Sequence, residues 1–303
     1  RADIRVLVAN ELIEERCDLF ERNFPECNLI RGSIWDKKDE IIRATKAALQ
    51  NEQLDFALVT PPCQGMSKNG RGKLLAEIKA GRRGAVDERN QLIIPALDII
   101  KELNPTTVVF ENVPEMITTI IPFNNTAIGI VELIKAELRD WYVEEKIVEF
   151  ADYGIPQKRQ RLITIATKNE EHIVYRSKHH TIFPTPTHSQ TETLFTKRWQ
   201  TVRDVIENLE PLDGKSKHKS QKNELHFVPK LDDRKYSWVS QTPEGKSAFD
   251  NQCSNCGFTK NLTHSARRNA NGVNQASQET PIYCSQCGTL LPRPTTYANG
   301  TPR

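Results

Sequence analysis

The sequence predicts an α/β architecture: a doubly wound, mostly parallel sheet joined to a second, smaller and irregular domain. Three observations carry that expectation. Short apolar runs rich in β-branched residues alternate with amphipathic helical stretches through the first half of the chain, which is the rhythm of βα units. Two of those runs end on residues with chemistry, Cys63 and Glu111, as expected where strands deliver functional groups to the carboxyl edge of an open sheet. Past about residue 180 the rhythm stops, and two matching Cys-x2-Cys-Gly turns occur in a stretch poor in apolar residues.

Ile4 to Ala9 reads as the first strand, followed by a helix carrying Leu12, Ile13, Cys17, Phe20 and Phe24 on one side. Asn28 to Ile34 forms the next strand and Asp39 to Leu49 the next helix. Leu54 to Val59 is a short continuous apolar run, consistent with a buried parallel strand. A helix from about Gln91 to Leu103 follows, and Pro95 inside it predicts a kink or a late start. Thr106 to Phe110 is another strand, Ile128 to Trp141 another helix, and Tyr142 to Ala166 a strand pair around the turn Gly154-Ile155-Pro156. There is no internal repeat.

The motifs sit on this frame. Cys63 lies in Thr60-Pro61-Pro62-Cys63-Gln64, where two prolines fix the backbone that presents the thiol. An isolated cysteine there would read as a small buried hydrophobe. This one is followed by Glu111-Asn112-Val113-Pro114 at the end of a strand and by Gln157-Lys158-Arg159-Gln160-Arg161 leading into another. Asp87-Glu88-Arg89-Asn90-Gln91-Leu92 opens the helix between the first two. Together, in this order, the four blocks resemble the DNA (cytosine-5) methyltransferase family, well over about Arg1 to Thr167 and more loosely beyond.

The resemblance implies a Rossmann-like S-adenosylmethionine-dependent fold and a division of labour. Cys63 would be the nucleophile that adds to the cytosine ring, and Glu111 the acid contacting N3 and the exocyclic amine. Arg161 would hold O2 of the base, with Arg159 ordering the site and the thiolate. A nearby cation also raises the reactive thiolate fraction. Without the other blocks, Glu111 reads as a helix-start carboxylate and the two arginines as a solvated hairpin face. Methyltransferases acting on exocyclic amines are similar but place an aromatic stacker after Pro-Pro. A thiol in that place argues for methylation at carbon.

The same resemblance assigns a cofactor pocket for S-adenosylmethionine. Glu11, directly after the first strand, would take the ribose hydroxyls, while Leu12 and Ile34 pack against adenine and Pro62 and Leu92 complete the pocket. Ser33 stands where the family usually has an Asp that accepts from the adenine amine, and a hydroxyl accepts more weakly. The bland reading of Glu11 is an ordinary helix-start carboxylate. The family's opening strand with its Phe-x-Gly-x-Gly turn, and its closing blocks, are not recognisable. The expectation is therefore a partial core, trimmed or completed by a partner chain or by further segments. The missing initiator Met points the same way.

Between Gln64 and Arg89, glycines alternate with basic residues. Enzymes that modify a base inside a duplex must extrude it, and the resemblance makes this stretch the loop that closes over the flipped base. Gln64, Ser67, Arg71, Arg82 and Arg83 are its candidates for DNA contact. Net charge is +3 over 303 residues but uneven: residues 1–150 hold 20 Lys/Arg against 25 Asp/Glu, and residues 151–303 hold 22 against 14. A basic carboxyl half suits a polyanionic partner, double-stranded DNA. No apolar run reaches membrane-spanning length and the amino terminus lacks a secretory pattern, so the expectation is no membrane partner and a bacterial cytoplasmic or nucleoid location.

Cys253, Cys256, Cys284 and Cys287 form two Cys-x2-Cys-Gly turns separated by 27 residues, the shape of a zinc knuckle pair. Disulfides are the competing reading, disfavoured without a secretory signal. The domain expectation is a partial catalytic core at residues 1–180 and a target-recognition region at 181–303, with a zinc-ribbon-like site at 253–287. Lys215 to Lys222 reads as a basic, flexible stretch, and Tyr236, Trp238, Arg267 and Arg268 as candidates for nucleic-acid contact, or else as small-domain core and solvated surface. Function follows as DNA cytosine-C5 methylation in a restriction–modification setting. The alternatives are cytosine-C5 methylation of RNA, and a non-catalytic DNA-binding fragment or split subunit.

Overall fold

The computed structural model describes residues 4–63, 66, 88–240, 252–253, 255–259, 267–268, 274–275 and 283–289. Two compact units divide the chain, Arg1–Val205 and Ile206–Arg303.

In the first unit, β1 (Val8–Glu11) pairs in parallel with β2 (Asn28–Arg31). Between them runs α1 (Glu14–Asn23), whose buried residue is Cys17. Glu14, Asp18 and Glu21 recur at helical spacing, so one face of α1 presents three carboxylates. Arg31, the last residue of β2, reaches all three and pins strand to helix. Strand β1 begins later than the sequence suggests, because Ile4 and Val6 stay exposed. Helix α2 (Ile34–Leu49) begins earlier, directly after Ser33.

β3 (Phe56–Val59) and β4 (Thr107–Asn112) form a second parallel pair. A 3-10 turn, Glu88–Leu92, precedes α3 (Ile93–Leu103). The late start puts Pro95 in the first helical turn, where its missing N–H leaves no bond unmade. After β4 comes a hairpin that the sequence reading missed, β5 (Ile120–Phe123) and β6 (Thr126–Gly129), turning on Asn124 and Asn125 at φ 49° and 62°. Two left-handed residues are what a tight hairpin turn needs. The hairpin takes the start of the expected helix, so α4 covers only Ile130–Glu137. β7 (Tyr142–Glu149) and β8 (Gln160–Thr167) follow as an antiparallel pair.

The larger sheet has the order β3-β4-β8-β7, with β8 antiparallel to both neighbours. This corrects the mostly parallel expectation at β8: residues 150–159 turn the chain back directly from β7, so β8 runs antiparallel to it and to β4. Among the described residues, β1–β2 is a separate sheet. Side chains alternate across the larger sheet. One face, with Ala57, Val59, Val108, Phe110, Leu162 and Ala166, joins α3 and α4 in the main core. On the other face Ile163 and Ile165 pack with Ile182 and Phe183, while Phe56 and Leu58 stay 38% and 61% exposed. Winding on that second face is thus incomplete over β3. Helix α5 (Glu170–His179) starts at Asn169, whose Oδ1 accepts from the Glu171 amide at 2.8 Å. A cavity of about 430 Å³ lies there, lined by Phe56, Val109, Ile165, His172 and Ile182 among others.

In the second unit, Lys215 to Lys222 is braced by local hydrogen bonds. Asp213 accepts from the amides of Lys215 and Ser216, at 2.6 and 2.8 Å, and Ser220 is buried and bonded to the His226 carbonyl at 2.9 Å. A helix spans Asp233–Ser240, with Lys215 paired to Asp233 at 2.9 Å.

Candidate active site

The larger sheet brings Cys63 and Glu111 to one edge. Cys63 follows the end of β3 by four residues, and its half-buried side chain packs against the main core. The Met66 amide donates to the Cys63 carbonyl at 3.0 Å, and the Met66 side chain is buried in the same core. Glu111 is the next-to-last residue of β4, the strand paired with β3. Asn112 joins the two strand ends: its Nδ2 donates to the Pro61 carbonyl at 3.0 Å, and its Oδ1 accepts from the Val113 amide at 2.8 Å. The sequence reading gave Asn112 no role. The signal for one was a buried amide at the end of a largely apolar strand.

Arg161 meets Glu111, its Nε lying 2.7 Å from Glu111 Oε1, with the two side chains 15% and 31% exposed. The register explains the meeting. Glu111 lies opposite Ile163 on the antiparallel β8, so Arg161, two residues on, shares its face. Arg161 Nη1 also donates to the Gln160 carbonyl at 2.8 Å. Arg159 is exposed and is not brought to Glu111 by any bond. Its backbone is fixed instead, its amide donating to Glu149 Oε1 at 2.6 Å and its carbonyl accepting from Phe150 at 3.1 Å.

The residues assigned to the cofactor lie at the carboxyl ends of both parallel pairs. Glu11 ends β1, and Ser33 and Ile34 follow β2. One oxygen of Glu11 is committed locally, accepting from the amides of Leu12 and Ile13 at 2.8 and 3.0 Å, and the other faces Arg16 at 3.9 Å. Ser33 makes no side-chain cap to α2, which leaves its hydroxyl uncommitted to the helix. Leu12 is 62% exposed, while Ile34, Pro62 and Leu92 are half-buried. These fit a ribose and an adenine ring: a carboxylate oxygen, a hydroxyl and apolar walls. Asn10 braces this edge, donating to the carbonyls of Ile30 and Gly32 at 2.8 and 3.0 Å, and was not singled out from the sequence. Gln64, Ser67, Arg71, Arg82 and Arg83 lie outside the described residues.

In the second unit, the sulfurs of Cys253, Cys256, Cys284 and Cys287 lie within 4.8 Å of one another. Cys253 and Cys287 are 3.6 Å apart, and Cys256 and Cys284 3.7 Å. Disulfide sulfurs would stand at about 2.05 Å. Thiolates around a tetrahedral zinc, each at about 2.3 Å, stand about 3.8 Å apart. Both turns close identically: Gly257 and Gly288 sit at φ 72° and 71°, and each donates its amide to the carbonyl of the first cysteine at 2.9 Å. Hydrogen bonding to the Thr289 hydroxyl and amide pulls Cys287 down to about 5. Donor set and spacing fit a zinc ion.

The thiol thus lies in the loop after β3, which Asn112 joins through Pro61 to the strand carrying the Glu111–Arg161 pair. Residues 1–297 match the family model for C-5 cytosine-specific DNA methylases, and the chain belongs to that family. It is 31% identical over 252 residues to the Type II methyltransferase M1.HgaI of Avibacterium volantium, which is 83% of this chain and 62% of the relative. Identity to the Type II methyltransferase M1.HphI of Haemophilus parahaemolyticus is 28% over 195 residues, 64% of this chain and 46% of the relative. With the Type II methyltransferase M.AquIA of a Picosynechococcus species it is 26% over 224 residues, 69% of this chain and 82% of the relative. The chain thus spans between about half and about three fifths of the first two relatives. Among the described residues no helix is long and apolar enough to cross a membrane.

Proposed function

We propose that this chain serves methyl transfer to C5 of cytosine in double-stranded DNA, as the modification partner in a restriction–modification pair. The observation that supports this reading most is the Glu111–Arg161 pair at the strand end that Asn112 ties to the Cys63 loop. Cytosine C5 is too weak a nucleophile to take a methyl group unaided. Addition of the Cys63 thiolate to C6 forms an S–C6 bond and pushes an electron pair toward N3, where Glu111 delivers a proton. C5 then has enamine character. S-adenosylmethionine, when bound, supplies an electrophilic methyl group on a sulfonium sulfur. With the methyl on C5 and the donor left as a neutral thioether, loss of the C5 proton to a water base, return of the N3 proton to Glu111 and expulsion of the Cys63 thiolate restore the aromatic ring and the enzyme.

Arg161, paired with Glu111, would hold O2 of the base, and Arg159 would help to order the site and the thiolate. Glu11, Leu12, Ser33, Ile34, Pro62 and Leu92 would hold the methyl donor. Gln64, Ser67, Arg71, Arg82 and Arg83 would meet DNA around the extruded base, since a base inside a duplex is out of reach of Cys63. A structural zinc on Cys253, Cys256, Cys284 and Cys287 would order the target-recognition region, which we assign to residues 181–303, with 1–180 as the catalytic core. A second reading, a subunit completed by further polypeptide, is favoured by the exposed Phe56 and Leu58 on the sheet. Methyl transfer from labelled S-adenosylmethionine, measured on duplex DNA and on RNA for the wild type and Cys63→Ser, tests the proposal. Transfer to DNA, lost in the variant, is expected; transfer confined to RNA would refute it.

A further inference from the structure

Past Phe183 the chain runs back along the turn from which Arg159 and Arg161 issue. Tyr153 Oη donates to the Pro184 carbonyl at 2.9 Å, and the Thr187 amide to the Asp152 carbonyl at 3.0 Å. A two-residue strand, β9 (His188–Ser189), then pairs in parallel with β10 (Lys197–Arg198). The excursion between them leaves Leu194 and Phe195 97% and 91% exposed, so burial does not hold its tip. Its return is held by hydrogen bonds instead. The Trp199 amide donates to the Ser189 carbonyl at 2.9 Å, and Trp199 Nε1 to Asp152 Oδ1 at 2.9 Å.

Trp199 thereby spans the turn. At one end its indole N–H meets the Asp152 carboxylate, in the 3-10 turn Phe150–Tyr153 that follows β7. At the other, Lys158 Nζ stands 4.9 Å from the ring centroid. A hydrogen bond to a carboxylate is about twice as strong as a neutral one, and a Lys over an indole face is attracted within about 6 Å of the centroid. The base of the turn is closed separately, the Phe150 amide donating to the Arg159 carbonyl at 3.1 Å. Gly154, at φ 84°, faces His188 so closely that a Cβ there would stand 2.8 Å from its Cε1. Among the described residues Trp199 belongs to neither apolar cluster of this unit, so core packing does not account for the indole.

Arg159 follows Lys158 directly, and Arg161, two residues on, shares its side of the chain and pairs with Glu111. We infer that Trp199 is a positioning residue: by bridging Asp152 and Lys158 it fixes the turn that leads into Arg159 and Arg161, and so sets the geometry of the Glu111–Arg161 pair. The inference rests on the proposed methyl transfer and adds to it a residue that acts through the two arginines rather than on the base or the donor.

The test compares the whole chain as wild type, Trp199→Phe, Asp152→Ala, Asp152→Asn, and the double variant Trp199→Phe with Asp152→Ala. Phe keeps a ring beside Lys158 and deletes only the indole N–H, while Asn keeps an acceptor for it. At saturating duplex DNA and S-adenosylmethionine, kcat should fall about 10- to 100-fold in Trp199→Phe and in Asp152→Ala. It should fall no further in the double variant and stay near wild type in Asp152→Asn, with KM for the duplex unchanged throughout. Hydrogen exchange read by mass spectrometry should speed up at the amides of residues 150–158 in the two impaired single variants. Unchanged kcat or unchanged exchange in Trp199→Phe would overturn the inference. So would a raised KM at unchanged kcat, which marks a DNA contact, or a kcat loss matched by lost folded protein in circular dichroism. If the wild type binds duplex DNA but transfers no methyl group, the functional reading fails and exchange alone decides. Faster exchange in Trp199→Phe then upholds the clamp, and unchanged exchange overturns it.

Discussion

At Asn112 a single buried side chain does two jobs, holding the Pro61 carbonyl and its neighbour's amide, and so fixes how far the Cys63 loop stands from Glu111. Replacing it by Ala leaves two backbone groups without partners. Asn112→Ala should cost about 1–3 kcal/mol in denaturant unfolding and should slow methyl transfer besides. Glu111→Gln keeps the size but removes the proton donor, and its kcat should fall about 100- to 10,000-fold with the fold intact by circular dichroism. The residues proposed to carry the chemistry, Cys63, Glu111 and Arg161, stood out in the sequence because each occupies a motif position in or just after a strand. Asn10 and Asn112 were not, because their task depends on which carbonyls the fold places beside them. Glu11 shows the same limit. The sequence left helix-start and ligand roles as rivals, and in the structure one oxygen accepts from the Leu12 and Ile13 amides while the other faces Arg16.

At the scale of elements, the strands were easier to foresee than their partners. The apolar runs located β3, β4, β7 and β8, yet alternation of apolar residues does not say whether a neighbour runs parallel. The turn around Gly154 made β7 and β8 antiparallel, and β8 then lies against β4 in the same sense. The β5–β6 hairpin fell in a stretch given no element, overlapping the expected helix only at Ile128 and Gly129, and its one cue was Asn124-Asn125. The cysteine turns were legible because their spacing is itself the geometry. Gly257 stands at φ 72°, with only Gln252 near the position a Cβ would take. Gly257→Ala should therefore act through backbone strain, and cobalt binding should weaken roughly tenfold without loss of the four-sulfur spectrum. Phe110, fully buried between β3 and β8, is the counterpart in the catalytic unit. Phe110→Ala should cost about 3–5 kcal/mol by denaturant titration.

Across the whole molecule, charge and length set what the chain can do. The excess of basic residues lies in the carboxyl half, where 22 Lys/Arg face 14 Asp/Glu, so duplex binding should weaken steeply as salt is raised. Two compact units meet at 205/206, and Ile182 and Phe183, just past the proposed boundary at 180, pack on the sheet's second face. Sequence could not show this, because a Pro-Thr-rich stretch reads as a linker until its two apolar residues find a sheet to cover. The account turns on Cys63 as the covalent nucleophile, and covalent trapping tests it most directly. The wild-type chain and Cys63→Ser would each be incubated with S-adenosylmethionine and duplexes containing 5-fluorocytosine, whose fluorine blocks the elimination that releases the enzyme. The account predicts an adduct that survives denaturation in the wild type and is absent in Cys63→Ser. An adduct that persists in Cys63→Ser, or none on a duplex that is bound and methylated when it carries ordinary cytosine, would contradict it.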